Sequence, residues 1–103
     1  MKKEEEFYRK ELNLIKEKLS EVKKKVNINR QKNKKLRDKR ETLLVDTVLK
    51  AGNLTENLQK AEKFKEDIEK LEDEFKDLKT IIKGLELREK IFKSIISEKI
   101  ENF

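Results

Sequence analysis

The chain has 103 residues, of which 49% are charged and 34% hydrophobic, with 28 Lys+Arg against 22 Asp+Glu and a formal charge of +6. It has no Cys, no His and no Pro, which excludes a disulfide framework, thiolate chemistry, imidazole catalysis and the strongest helix breaker. A half-charged chain rich in Glu, Lys and Leu is too polar for a globular core but has the composition of a coiled coil.

The opening segment Met1-Lys2-Lys3-Glu4-Glu5-Glu6 lacks the apolar run of a secretory leader, and no stretch approaches the ~20 apolar residues of a membrane span. The expectation is a soluble, intracellular protein, cytoplasmic or nuclear, with no transmembrane segment; the absence of cysteine points the same way.

The first predicted element is a helix over about 4–50. With Leu12 taken as an a position, Tyr8, Leu12, Ile15, Leu19, Val22 and Val26 alternate at spacings of three and four, the a/d pattern of a coiled-coil seam. The same frame then runs through Asn29, Asn33, Leu36, Arg40, Leu43, Thr47 and Lys50, a more polar stretch. Overlapping it, Lys23 to Arg40 holds ten basic residues against one acid, Asp38.

A turn is expected at 51–53. Gly52 suits the left-handed position just past a helix, and Asn53 suits the N-cap of the next, with Glu56 three residues on as in a capping box. The second helix is expected over about 54–102. Its seam continues in phase through Leu54, Asn57, Ala61, Phe64, Ile68, Leu71, Phe75, Leu78, Ile82, Leu85, Glu89, Phe92, Ile96, Lys99 and Phe103. Gly84 reads as an interior glycine. Residues 64–81 carry seven acids and four lysines.

The charge order selects the packing. In a parallel pair Arg40 and Lys50 each face their own copies, and most flanking pairs repel. Folding back at Gly52 instead sets every a against a d: Leu12 with Phe92, Leu19 with Leu85, Val22 with Ile82, Val26 with Leu78, Leu36 with Ile68, and Leu43 with Ala61. Arg40 then lies beside Phe64, its stem covering the ring and its head in water. On the flanks Lys32–Glu74, Lys39–Asp67, Arg30–Glu72, Lys16–Glu86 and Asp46–Lys60 attract, while Lys18–Arg88, Lys23–Lys79, Arg37–Lys65 and Arg9–Lys93 repel. An antiparallel dimer of straight helices makes the same contacts between chains; the Gly-Asn turn favours the single chain. The expected fold is all-α: a long antiparallel two-helix coiled-coil hairpin turning near Gly52, a single unit packed into a larger helical assembly.

Two apolar groups lie outside the a/d line and mark candidate partner-binding residues. Near the chain ends these are Phe7, Leu14, Ile91, Ile95 and Ile100; near the turn they are Val45, Val48 and Leu49. Leu44 and Leu58, both e positions, are expected to cover one flank together. A stripe wider than a/d implies further helices.

No catalytic, cofactor-binding or metal-binding residues are expected. Ser20, Ser94 and Ser97 have no imidazole to activate them, and the acids Glu66 to Glu74 alternate with lysines around a helix rather than converging. The expected function is a non-catalytic coiled-coil structural or adaptor subunit that associates with other helical chains as a homo- or hetero-oligomer. The alternative is a weak nucleic-acid or polyanion binder through 23–40, with Lys32, Lys34, Lys35 and Arg37 as candidates. That alternative is less favoured, because no aromatic is interleaved for base stacking and lysine far outnumbers arginine.

Overall fold

The computed structural model describes residues 2–101, and the side chains of residues 3–98. The fold is an all-α antiparallel helical hairpin of two helices, α1 (Lys2–Val48) and α2 (Leu54–Glu101), joined by a short turn. The far end of the expected seam (Lys99 and Phe103), the candidate Ile100 and the expected helix end at 102 lie outside the described residues or side chains.

Contacts between the helices divide into two units, residues 1–25 with 78–103 and residues 26–77. In the first, the terminal unit, Ile15, Leu19 and Val22 of α1 and Leu78 and Ile82 of α2 are buried. All occupy a or d positions, so the seam is the core, and each such side chain contributes roughly 1.5–3 kcal/mol on leaving water. Phe92, expected opposite Leu12, stacks its ring against Tyr8 with centroids 5.8 Å apart. Tyr8 lies one a/d step from Leu12, about 6 Å along the helix axis, a distance an aromatic ring spans.

The second, the turn unit, has a different interior. Its fully buried side chains are Ala61, Asn29 and Asn33, and Asn29 is 1% exposed. Leu36, Leu43, Phe64, Ile68, Leu71 and Phe75 are half-buried. Thr47, also in the seam, returns its hydroxyl to the Leu43 carbonyl at 2.8 Å and so carries no unsatisfied donor.

The turn departs from expectation at its first step. The α1 helix stops at Val48, and Lys50, not Gly52, takes the left-handed position with φ 56°. Ala51 N–H donates to the Asp46 carbonyl at 2.8 Å and Lys50 N–H to Thr47 at 3.1 Å, the paired bonds of a Schellman motif with Lys50 at C′. Because the helix ends earlier than expected, the residue that must reverse handedness is Lys50. Lys50, a d position by count, has therefore left the seam, and its charge is exposed. Gly52 takes a second positive φ, 75°, and aims the chain at α2.

Asn53 caps α2 as the sequence suggests, its Oδ1 accepting from Glu56 N–H at 3.1 Å. The reciprocal half of the capping box is absent, because the Glu56 carboxylate pairs with Lys60 at 2.9 Å instead. Asn57 adds a tie that sequence reading missed, donating Nδ2 to the Ala51 carbonyl at 2.9 Å.

Substitutions at the turn should reflect these two left-handed residues. Lys50→Gly should stabilise the chain by ~0.5–1 kcal/mol, because a side chain no longer opposes the conformation. Gly52→Ala should destabilise it by ~1 kcal/mol through the backbone alone, since a Cβ there would meet only the Asn57 side chain at an ordinary 3.6 Å. Urea unfolding followed by circular dichroism checks both signs; a destabilised Lys50→Gly variant would remove the assignment of C′.

Candidate functional site

The basic block and the acids opposite it meet in the turn unit, though in another way than flank counting suggests. Asn29 donates Nδ2 to the Leu71 carbonyl at 2.9 Å, and its Oδ1 accepts from Arg30 Nε at 3.1 Å and Nη2 at 2.7 Å. Arg30 continues to Glu72 at 3.3 Å. Asn33 donates to the same Glu72 Oε1 at 2.9 Å and accepts from Arg37 Nε, while Arg37 Nη2 reaches that oxygen at 3.0 Å. Three donors thus converge on one carboxylate oxygen. The Arg30 guanidinium also lies 3.7 Å over the Phe75 ring centre, a cation–π contact.

Partial burial pushes the Glu72 carboxyl up, but the hydrogen bond and charge of Arg30, with the hydrogen bonds of Arg37 and Asn33, outweigh it and hold the group below its ordinary 4.5. The network needs the carboxylate form, which only accepts.

The other expected flank attractions do not form. Lys60 turns to Glu56 at 2.9 Å and not to Asp46, and Asp67 sits 3.7 Å from Lys63 and not on Lys39. Lys32–Glu74 and Lys16–Glu86 are also absent from the ion pairs of the described residues, where Glu72 is the carboxylate that bridges the helices. Neighbours four apart on one helix are already close and lose less side-chain freedom than partners across the seam. Arg37, expected to repel Lys65, is held by Glu72 instead.

Arg40 also departs from expectation. It is half-buried and its Nε is buried without a hydrogen-bond partner. It lines an open groove of about 500 Å³ with Arg37, Glu41, Leu44, Lys65 and Ile68. An unpartnered buried donor costs about 1–3 kcal/mol.

The candidate binding residues lie where their heptad positions place them. Phe7, Leu14 and Ile91 are about half exposed, and Ile95 is half-buried. Val45 is exposed, and Val48 and Leu49 more so, at 80% and 71%. Leu44 is half-buried but Leu58 is exposed, so the two do not close the flank. Ile28, Ile81 and Leu87 are exposed apolar residues that sequence reading passed over. They sit at c, g and f, so a full inventory of apolar residues outside a and d would have found them. Lys32, Lys34 and Lys35 are exposed and outside the ion pairs of the described residues, whereas Arg37 is committed to Glu72.

Among the described residues no group of carboxylates converges as a metal site, and no helix is long and apolar enough to cross a membrane. Comparison with protein-family models, curated proteins and solved structures gives no match.

The Asn29–Asn33–Glu72 network should trade stability for register. Replacing Asn29 and Asn33 together by Leu should raise the melting temperature and loosen the pairing, because buried polar core residues select one alignment at a cost in stability. Thermal unfolding, and cross-linking between cysteines introduced at 36 and 68, both in the turn unit, read the two effects; a lower melting temperature with one sharp cross-link would contradict the assignment.

Acid should weaken the same unit. A carboxyl whose folded value is lowered contributes fully above its ordinary value of 4.5 and loses that contribution as pH falls through the lowered one. Glu72→Gln should therefore flatten part of the acid limb of unfolding midpoint against pH while leaving its shape near neutrality. An acid limb identical to wild type would exclude Glu72.

Proposed function

We propose that the chain is a non-catalytic coiled-coil structural or adaptor subunit, intracellular, that associates with other helical chains. One observation carries this reading: beside the buried seam, apolar side chains at off-seam positions stay exposed on both units. They are Phe7, Leu14 and Ile91 in the terminal unit and Val45, Val48 and Leu49 in the turn unit. Single exposed apolar residues are ordinary, but groups of them outside an a/d seam are what further helices cover. The thin interior of the turn unit supports the same reading, since a packed partner would shield it.

The second reading, a polyanion binder, has one observation in its favour: Lys32, Lys34 and Lys35 are exposed and outside the ion pairs of the described residues. The acids on α2 oppose it by lowering the local potential.

Ile91→Glu with Ile95→Glu should reduce association, measured as solution mass and as cross-links to native partners, more than it reduces helicity by circular dichroism. Ile82→Ala, in the seam, should instead cost ~2–5 kcal/mol of stability. A DNA titration separates the two readings. Under the first, binding is weak and gone by ~150 mM salt. Tight binding there, lost when Lys32, Lys34 and Lys35 are neutralised, would replace the adaptor reading; unchanged association of the double Glu variant would remove the Ile91–Ile95 face as the partner surface.

A further inference from the structure

The terminal part of α2 carries a second stripe with an order of its own. Arg88, Ile91, Ile95 and Glu98 follow at spacings of three, four and three, so they lie along one face of α2. In the heptad frame they are g, c, g and c, away from the a/d seam that α1 covers. Ile91 is 49% exposed, Arg88 and Glu98 are exposed, and Ile95 is half-buried. Gly84, one turn earlier on the same stripe, would place a Cβ in open space, with nothing within 4 Å. Arg88, Ile91 and Glu98 of this stripe are therefore left uncovered by the chain itself, and Ile95 is covered only in part. Neither Arg88 nor Glu98 belongs to an ion pair of the described residues; nearby, Glu89 takes Lys93 at 3.5 Å.

Read along α2, the stripe is positive, apolar, apolar, negative. That order is its own complement when reversed. We propose that a second copy of this chain packs on it, α2 against α2, antiparallel about a twofold axis between Ile91 and Ile95. Each Arg88 then faces Glu98 of the second copy, and each Ile91 packs on Ile95 of the second copy, an isologous contact made twice over. A parallel pairing sets Arg88 on Arg88 and Glu98 on Glu98 and is rejected by its charges. Phe7 and Leu14, both c positions on α1, belong to the same flank by register and extend its apolar area. The inference rests on the adaptor reading and makes it specific: the helical partner at this face is another copy.

Sedimentation of the full chain at ~100 µM should give a dimer. Arg88→Glu and Glu98→Arg, made separately, should each weaken the dimer by roughly ten- to hundredfold, since two attractions become two repulsions. Combining them should restore it, because the pair is then exchanged rather than lost. The chain has no cysteine, so Ile91→Cys and Ile95→Cys chains mixed under oxidation report orientation directly. The mixed disulfide should dominate over both same-site disulfides, a result independent of the charge variants. A monomer at that concentration, a dimer indifferent to Arg88→Glu, failure of the double variant to recover, or dominant same-site disulfides would each overturn the proposal. A monomer that still binds other helical chains in an Ile91-dependent way overturns self-pairing and leaves the adaptor reading standing. A chain that associates with nothing overturns both.

Discussion

The seam between α1 and α2 is a stripe that recurs every 3.5 residues, and in each unit α1 and α2 cover that stripe on each other and little more. In the terminal unit Ile15, Leu19, Val22, Leu78 and Ile82 fill it with apolar side chains. In the turn unit the same stripe holds Asn29 and Asn33, whose burial is accompanied by hydrogen bonds, and Arg40, whose buried Nε has none. This geometric limit explains why so charged a sequence still folds, because only the a and d positions need be apolar. It also explains why apolar residues at other positions remain in water.

The polar stretch of the seam answers a problem that an apolar seam leaves open. An apolar heptad repeat reads almost equally well when shifted by seven residues, so hydrophobic contact alone fixes the alignment of two helices weakly. Asn29 reaches a single backbone carbonyl, Leu71, and Asn33 a single carboxylate, Glu72. A backbone carbonyl recurs at every residue, but a shift by one heptad would put Lys65 or Lys79 where Glu72 stands and leave the Asn33 amide without its acceptor, and buried unpaired groups are expensive. Arg30 and Arg37 then close on the Glu72 oxygen from either side of Asn33. The turn supplies the second lock, because a Schellman end on α1 and the Asn53 and Asn57 bonds leave little slack in the connection.

Much of this was legible in the sequence. The a/d phase gave the seam, the charge order gave the antiparallel sense, and the Arg30–Glu72 pair and the Asn53 cap appear where position predicts them. What escaped notice shares one cause. Heptad letters describe which positions face one another, whereas a side chain chooses its partner by reach and competition. Lys60 and Asp67 chose neighbours on their own helix. Arg37 bypassed Lys65 for Glu72. The turn failed in the same manner: glycine can adopt a left-handed conformation, but which residue must do so depends on where the last helical bond closes. That bond places the reversal at Lys50. Ile28, Ile81 and Leu87 were visible as letters but lay in a frame already interpreted as solvent-facing.

The distribution of charge separates two uses of the same residue types. Two arginines on the turn unit pair across the helices, Arg30 and the more exposed Arg37 both binding Glu72, and Arg40 is half-buried. Lysine faces outward, as suits a compact, strongly hydrated charge on a flexible stem. Arg30 and Arg37 of the basic block are thus committed to the helix pair, while Lys32, Lys34 and Lys35 stay in solvent. Where charge and apolar groups alternate on an uncovered face, the order of signs becomes the information a partner can read. A sequence that is its own complement under reversal, as along Arg88 to Glu98, attracts a copy of itself in one orientation and repels it in the other. A seam made of apolar residues alone has no such direction.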